Sequence, residues 1–472
     1  MPPLDAVVVG SGPNGLAAAI VIAQTGRRVV VLEAEDTPGG GCRSAELTLP
    51  GFVHDVCSAV HPFALASPVF RSLPLHAYGL EWIEPTAMLA HPLDDGRVAL
   101  IHRTVAATAA ALERDARAYS NVIGGVVEAW PRIERQVLGP LGVPRHPIAL
   151  ARFGLQALQP AESFARRRFT TDGGRAMFAG IAAHSMLPLT MPPTAGIGLV
   201  LAAMAHVAGW SIPRGGAQSV TNALIAHLRA LGGEVVTGRA VRSIDELPEA
   251  RAVLCDLSPR PLLRIAGHRF PTRFRRALER YRYGMGVFKV DWALDGPVPW
   301  RNPECARSAT VHLGGTLQEI AMSERASWKG HVAPNPFVLL VQPTLFDPSR
   351  APAGRHVVWA YCHVPRGSTA DMLPSIEQQI DRFAPGFRDR VLARSVMGPA
   401  DLERHNANYV GGDIGAGATT LAQFFTRPTW RTYSTPVGGL YICSASTPPG
   451  VGVHGMCGYF AAHRALSEVL RD

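Results

Sequence analysis

Near the start of the chain, Asp5-Ala-Val-Val-Val runs into Gly10-Ser-Gly12-Pro-Asn-Gly15, and a second apolar run, Val29–Leu32, ends on Glu33. A strand, a glycine turn, a helix, a strand and an acid in that order restrict the fold to a parallel α/β sheet built around a dinucleotide. Gly10 permits the tight turn, Gly12 lets backbone approach a pyrophosphate, and Gly15 lets the helix pack closely on the strand. Pro13 and Asn14 lie in the same turn. The helix N-terminus presents free N–H groups and the positive end of its dipole to phosphates. Glu33 is placed to accept hydrogen bonds from ribose hydroxyls.

The residues after Glu33 separate FAD from NAD. Thr37-Pro-Gly39-Gly40-Gly41-Cys-Arg43-Ser44 follows at once. A second glycine cluster carrying an arginine suits a loop that folds back over a long cofactor and meets its phosphates. Gly40, Gly41 and Arg43 therefore join the expected cofactor contacts.

A third glycine-rich stretch stands far downstream. An apolar run, Leu440–Ala445, precedes Ser446-Thr-Pro-Pro-Gly450-Val-Gly452-Val453-His454-Gly455, and a helix is expected over 459–470. No strand and no ribose acid follow, so a separate NAD domain is not expected. The better reading is a helix N-terminus that closes on the first cofactor and supports the charge of a reduced flavin. Ser446, Gly452, Val453 and His454 are assigned to that wall.

Composition excludes several classes. The net charge is +9, but only Lys289 and Lys329 among 46 basic residues are lysine, and the arginines are scattered. No nucleic-acid-binding module is present; peripheral contact with anionic membrane is left open. Seven cysteines without a C-x-x-C pair argue for a reducing compartment, here the cytoplasm, and against a redox-active disulfide. No His/Cys cluster has metal-ligand spacing, so no metal is expected. A first strand beginning by Ala6 leaves no room for a leader peptide. The most apolar run, Ala195–Trp210, is short for a membrane span and reads as a core helix.

The expected fold class is α/β: a Rossmann-like FAD-binding domain with a discontinuous, mixed α+β substrate domain inserted. The cofactor domain takes 1–105, 214–285 and 401–472, and the substrate domain takes 106–213 and 286–400. Helices are expected over 104–119, 197–207, 217–231 and 375–383. Strands are expected over 234–237, 240–244, 252–256, 287–292, 337–341 and 356–361. Ligands then bind at the seam between domains.

Ser11-Gly12-Pro-Asn-Gly15, Leu49–Pro62, Tyr283–Asp291, Gly411-Gly412-Asp413 and Ser444–Gly458 together resemble the phytoene-dehydrogenase-related flavoproteins, over essentially the whole chain. The resemblance implies a two-domain FAD enzyme, and places Val241 where the adenine receives a backbone contact; Cys443 and Cys457 read as buried small hydrophobes rather than flavin attachment points, so the FAD is expected to be noncovalent. Relatives desaturate, saturate, isomerise or oxidise different compounds. The expected activity is oxidoreduction at C–C or C=C bonds of an apolar, isoprenoid- or polyene-like small molecule, with an unknown electron acceptor and oligomeric state. Rivals are an amine- or alcohol-oxidising flavoprotein, a redox-neutral isomerase and a low-turnover flavin-bearing scaffold. His454 and His61 are the candidate catalytic residues, each weighed against a packing role. Tyr361 and His363 are expected in the core, Lys289 facing solvent or ion-paired, and Asp413 ordering a cofactor loop.

Overall fold

The computed structural model describes residues 4–471. Five parallel strands form one sheet, in the order Leu440–Ile442, Ala250–Cys255, Leu4–Val9, Val29–Leu32, Glu234–Val236. The central strands are valine-rich because both faces are covered. Ala6 and Val8 pack toward the helix Pro13–Ala23, while Val7 and Val9 meet Leu262, Ile265 and Phe274 on the other side. The last helix, Met456–Glu468, lies against Pro13–Ala23. Gly458 makes that approach possible, since a methyl group there would overlap the Asn14 carbonyl.

The second sheet has seven strands, ordered Val391–Met397, Gly286–Leu294, His356–Val364, Val338–Val341, Thr310–Leu313, Leu89–Pro92, Val98–Ile101. All neighbours are antiparallel except Thr310–Leu313 with Leu89–Pro92. Alternation sorts its side chains. Phe288, Leu340, Val358 and Ala360 pack under the helix Leu373–Phe383, whereas Leu339, Val341, Trp359 and Tyr361 share the opposite face. Helices Gly125–Val137, Pro147–Ala157, Asp172–Ala183 and Thr194–Val207 form a further layer.

The structure corrects the sequence reading at three places. Residues 89–101 pair into the second sheet, so the first cofactor segment stops short of residue 105. The expected helix 104–119 is broken into Val105–Ala111, a 3-10 turn and Ala116–Tyr119, with Glu113 at φ 45° interrupting it. Residues 240–244 form no strand, because the sheet ends on Glu234–Val236 and offers them no partner.

Candidate functional site

The carboxyl ends of the parallel strands open into a cavity of about 1250 Å³ that continues between the second sheet and the helical layer. That is larger than an ordinary small-ligand pocket, and leaves room for a dinucleotide with a substrate beside it.

At the dinucleotide end, Gly10, Gly12, Pro13, Asn14, Glu33, Gly40, Gly41, Arg43 and Val241 all line the wall. Glu33 is held in place: its Oε2 accepts from the Ser11 N–H at 2.9 Å and the Ser11 hydroxyl at 2.5 Å, and Oε1 accepts from Glu35 N–H at 3.0 Å. A carboxylate has about four acceptor positions, so capacity is left for a ribose. The Ser11 hydroxyl also accepts from Gly39 N–H, which ties the two glycine clusters together. Arg43 donates to the carbonyls of Gly40 and His405, at 2.9 and 3.0 Å, and so braces the second loop as well as lining the cavity. Asn14 keeps a buried Oδ1 without a partner. A glycine cradle, an orphaned acceptor and a fixed carboxylate fit an adenine dinucleotide.

Gly15 lies outside the wall and acts through packing, since a methyl group there would overlap the Gly10 carbonyl oxygen. Ser446 is also misassigned to the wall. It is fully buried, and its hydroxyl bonds Ser444 at 2.6 Å. Asp413 performs the expected ordering role, accepting from the N–H groups of Gly284, Gly415 and Gly417.

Sequence reasoning missed Asp256. It ends the strand Ala250–Cys255, lines the cavity, and its Oδ2 accepts the Gly15 N–H at 3.0 Å. Burial foremost, aided by the Glu33 charge, pushes its carboxyl up to about 7 against the pull of the Gly15 hydrogen bond. An acid at the carboxyl end of a parallel strand was the available signal.

The two candidate catalytic histidines are corrected. His454 and its neighbours Gly452 and Val453 do line the cavity. However, His454 Nδ1 accepts from Met456 N–H at 3.0 Å, which leaves Nε2 to donate to the Gly450 carbonyl at 3.2 Å. Both ring nitrogens are spent on backbone, and burial lowers the pKa to about 4. The ring closes a turn and has no nitrogen free to transfer a proton. His61 is likewise driven down to about 4 by burial. The Ser58 hydroxyl donates to the Gly41 carbonyl, so His61 Nε2 donates to Ser58 at 3.1 Å and its Nδ1 is occluded without a partner.

At the other end the wall is apolar: Leu150, Phe153, Ile197 and Val200 from helices, Leu339 and Val341 from the second sheet. Trp359 and Tyr361 stand in this wall with ring centroids 5.4 Å apart; the core placement expected for Tyr361 thus extends to lining the cavity. Lys289 is buried, ion-paired to Asp291 and 5.7 Å from the Trp359 ring. His363 is buried against Glu324 at 2.8 Å. His184, another residue missed in the sequence, lines the cavity and meets His312 through the two Nε2 atoms at 3.0 Å. Burial holds His184 down to about 3, so the pair is neutral near pH 7 and shares one N–H. The acids lining the cavity are Glu33, Glu35, Asp256 and Asp413, and none of them stands among the apolar residues just named.

Comparisons with known proteins agree with the fold. A family described as NAD(P)-binding Rossmann-like domain matches residues 8–73. The chain is 26% identical to rat "pyridine nucleotide-disulfide oxidoreductase domain-containing protein 2", over 99% of this chain and 94% of that one. It is 26% identical to phytoene dehydrogenase of Streptomyces griseus, over 87% of this chain and 81% of that one. A solved putrescine oxidase double mutant shares the fold with a TM-score of 0.63 at 17% identity, covering all of both chains.

Proposed function

Because this chain belongs to the oxidoreductase family related to phytoene dehydrogenases, we propose that it binds FAD noncovalently and acts on C–C or C=C bonds of an apolar, polyene- or isoprenoid-like substrate. The observation that carries the reading is the single cavity, with a dinucleotide cradle at one end and an uncharged apolar chamber at the other. Bound FAD would supply hydride chemistry. The protein's part is placement and exclusion of water. Glu33 would hold the ribose and the main chain at Val241 would meet the adenine. The glycine cradle and helix Pro13–Ala23 would face the pyrophosphate. Leu339, Val341, Phe153 and Val200 would orient an apolar chain and keep the reacting carbons dry. His184 is the ring placed to hold a proton at that end, with its Nε2 state coupled to His312.

The Trp359–Tyr361 pair favours a second reading, amine oxidation. The apolar chamber nevertheless offers no carboxylate to an ammonium group, and the open cavity weighs against a scaffold with little turnover. Acid precipitation should release a yellow FAD into the supernatant. Anaerobic photoreduction followed by reoxidation with polyenes, quinones and oxygen tests the substrate class. Reoxidation by an olefin supports the reading; flavin that is reduced by amines and ignores every olefin refutes it.

A further inference from the structure

We propose that the apolar chamber holds a polar subsite, the Tyr361 hydroxyl and the His184 ring on either side of Leu339, which takes a neutral oxygen of an otherwise apolar substrate: a ketone, an aldehyde or an alcohol. Tyr361 pairs with Leu339, and Leu339 with His312 on the next strand. Tyr361 and His312 therefore share one face of the sheet, about 10 Å apart with Leu339 between them. His184, just after the helix Asp172–Ala183, meets His312 from the helical layer. Tyr361 is 8% exposed and lines the cavity, yet its hydroxyl has no hydrogen-bond partner among the described residues. Ser185 Oγ and Trp359 Nε1 also lack partners but are occluded behind the wall, whereas the Tyr361 hydroxyl opens on the cavity. A nearly buried polar group without a partner is costly, and a ligand that bonds it removes the cost.

The tautomers follow from what is closed off. His312 Nδ1 is occluded without a partner, and a Cβ on Gly180 would come within 2.8 Å of it. An orphaned buried N–H is rarer than an orphaned acceptor. His312 therefore carries its proton on Nε2 and donates it to His184 Nε2. His184 then holds its own proton on Nδ1, the nitrogen left for the cavity. Both donors are neutral, because burial raises the Tyr361 pKa and lowers that of His184 to about 3. No arginine or lysine in the cavity wall belongs to the helices or strands that build the chamber, and Lys289 is spent on Asp291. The Thr310 hydroxyl, also in this wall, accepts from Trp210 Nε1 at 3.0 Å. A carboxylate or an ammonium finds no counter-charge here. Two neutral donors in an apolar wall orient a neutral acceptor.

The test is titration of the purified full chain, carrying its own cofactor, with dihydro-β-ionone and with the hydrocarbon in which that ketone's carbonyl is a methylene. Tryptophan fluorescence reads binding without turnover. Tyr361→Phe should weaken the ketone about fivefold and the hydrocarbon less than about twofold, and His184→Leu should do the same. The carbonyl stretching band of the bound ketone should lie below its value in hexane and rise in Tyr361→Phe. That hydroxyl has no protein partner to lose, so Tyr361→Phe should melt no lower than wild type. Loss in one variant alone supports the subsite with that donor. Equal loss of both ligands, no loss in either variant, or no binding of the ketone would overturn it. The subsite names a substrate class for the function proposed above and rests on that reading. Ketone binding by a protein whose flavin no olefin reoxidises would keep the subsite and refute the reaction.

Discussion

The Asp256 carboxylate caps the Gly15 N–H at 3.0 Å, across 241 residues of chain, at the helix end where a pyrophosphate is expected. Its folded pKa, about 7, lies above the usual 3.8, so ionisation is penalised in the folded state. The stability gained by keeping it protonated is complete below about pH 4 and is lost as pH rises to about 7. Asp256→Asn cannot ionise. The flavin-free variant should gain on wild type between those limits, by up to about 4 kcal/mol. Urea unfolding of both proteins at pH 4.5, 6 and 7.5 measures it; a pH-independent difference would refute the linkage.

Gly12 and Gly15 should fail in different ways. A Cβ on Gly12 would sit 2.5 Å from Asp256 Oδ2, at the cavity wall. Gly12→Val is expected to fold and lose flavin. Gly15→Ala drives a methyl group into main chain and should cost about 3 kcal/mol of stability. Thermal melts paired with flavin absorbance separate the two outcomes.

His454→Ala should lower stability by about 2–4 kcal/mol, because it orphans the Met456 N–H and leaves the Gly450 carbonyl only the weak Cys457 thiol donor. With its pKa lowered to about 4, the ring is neutral from pH 5 to 8 and contributes no inflection there. The flavin potential should move by less than about 30 mV, the equivalent of about 1.4 kcal/mol for two electrons. A larger shift would restore a tuning role.

Arg350 and Asp55 form a fully buried pair at 2.8 Å that links the second glycine loop to the substrate side. Asp55 also accepts from the Ser44 hydroxyl and Ala217 N–H, and Arg350 donates to the Val53 carbonyl. Arg350→Met strands the carboxylate and should cost about 3–5 kcal/mol. Adding Asp55→Asn should recover part of that loss, which a double-mutant cycle by denaturant titration detects.

Local chemistry made the cofactor half legible. Gly10, Gly12, Gly15 and Glu33 are near in sequence, and their spacing follows from one strand-turn-helix unit. Asp256 was hidden because its partner Gly15 stands in a different chain segment, and only the pairing of Ala250–Cys255 with Leu4–Val9 brings them together. His184 was hidden for the same reason, since its partner His312 arrives on a strand of the second sheet. The assignment of 89–101 failed because a short alternating strand carries no label of the sheet it joins. His454 lines the cavity, but both its ring nitrogens are committed to backbone. Its position followed from the glycine spacing, but the commitment of its two nitrogens depended on how the turn closes.

The seating of Gly458 on the Asn14 carbonyl ties residues near the two extremes of the chain into one wall. A growing polypeptide folds its first βαβ unit early, yet the segment Gly450–His454 leaves the ribosome only after some four hundred more residues. The cavity wall that Gly450–His454 completes therefore closes only once that late segment is made, and a nascent chain stalled before it would leave the cavity open on one side.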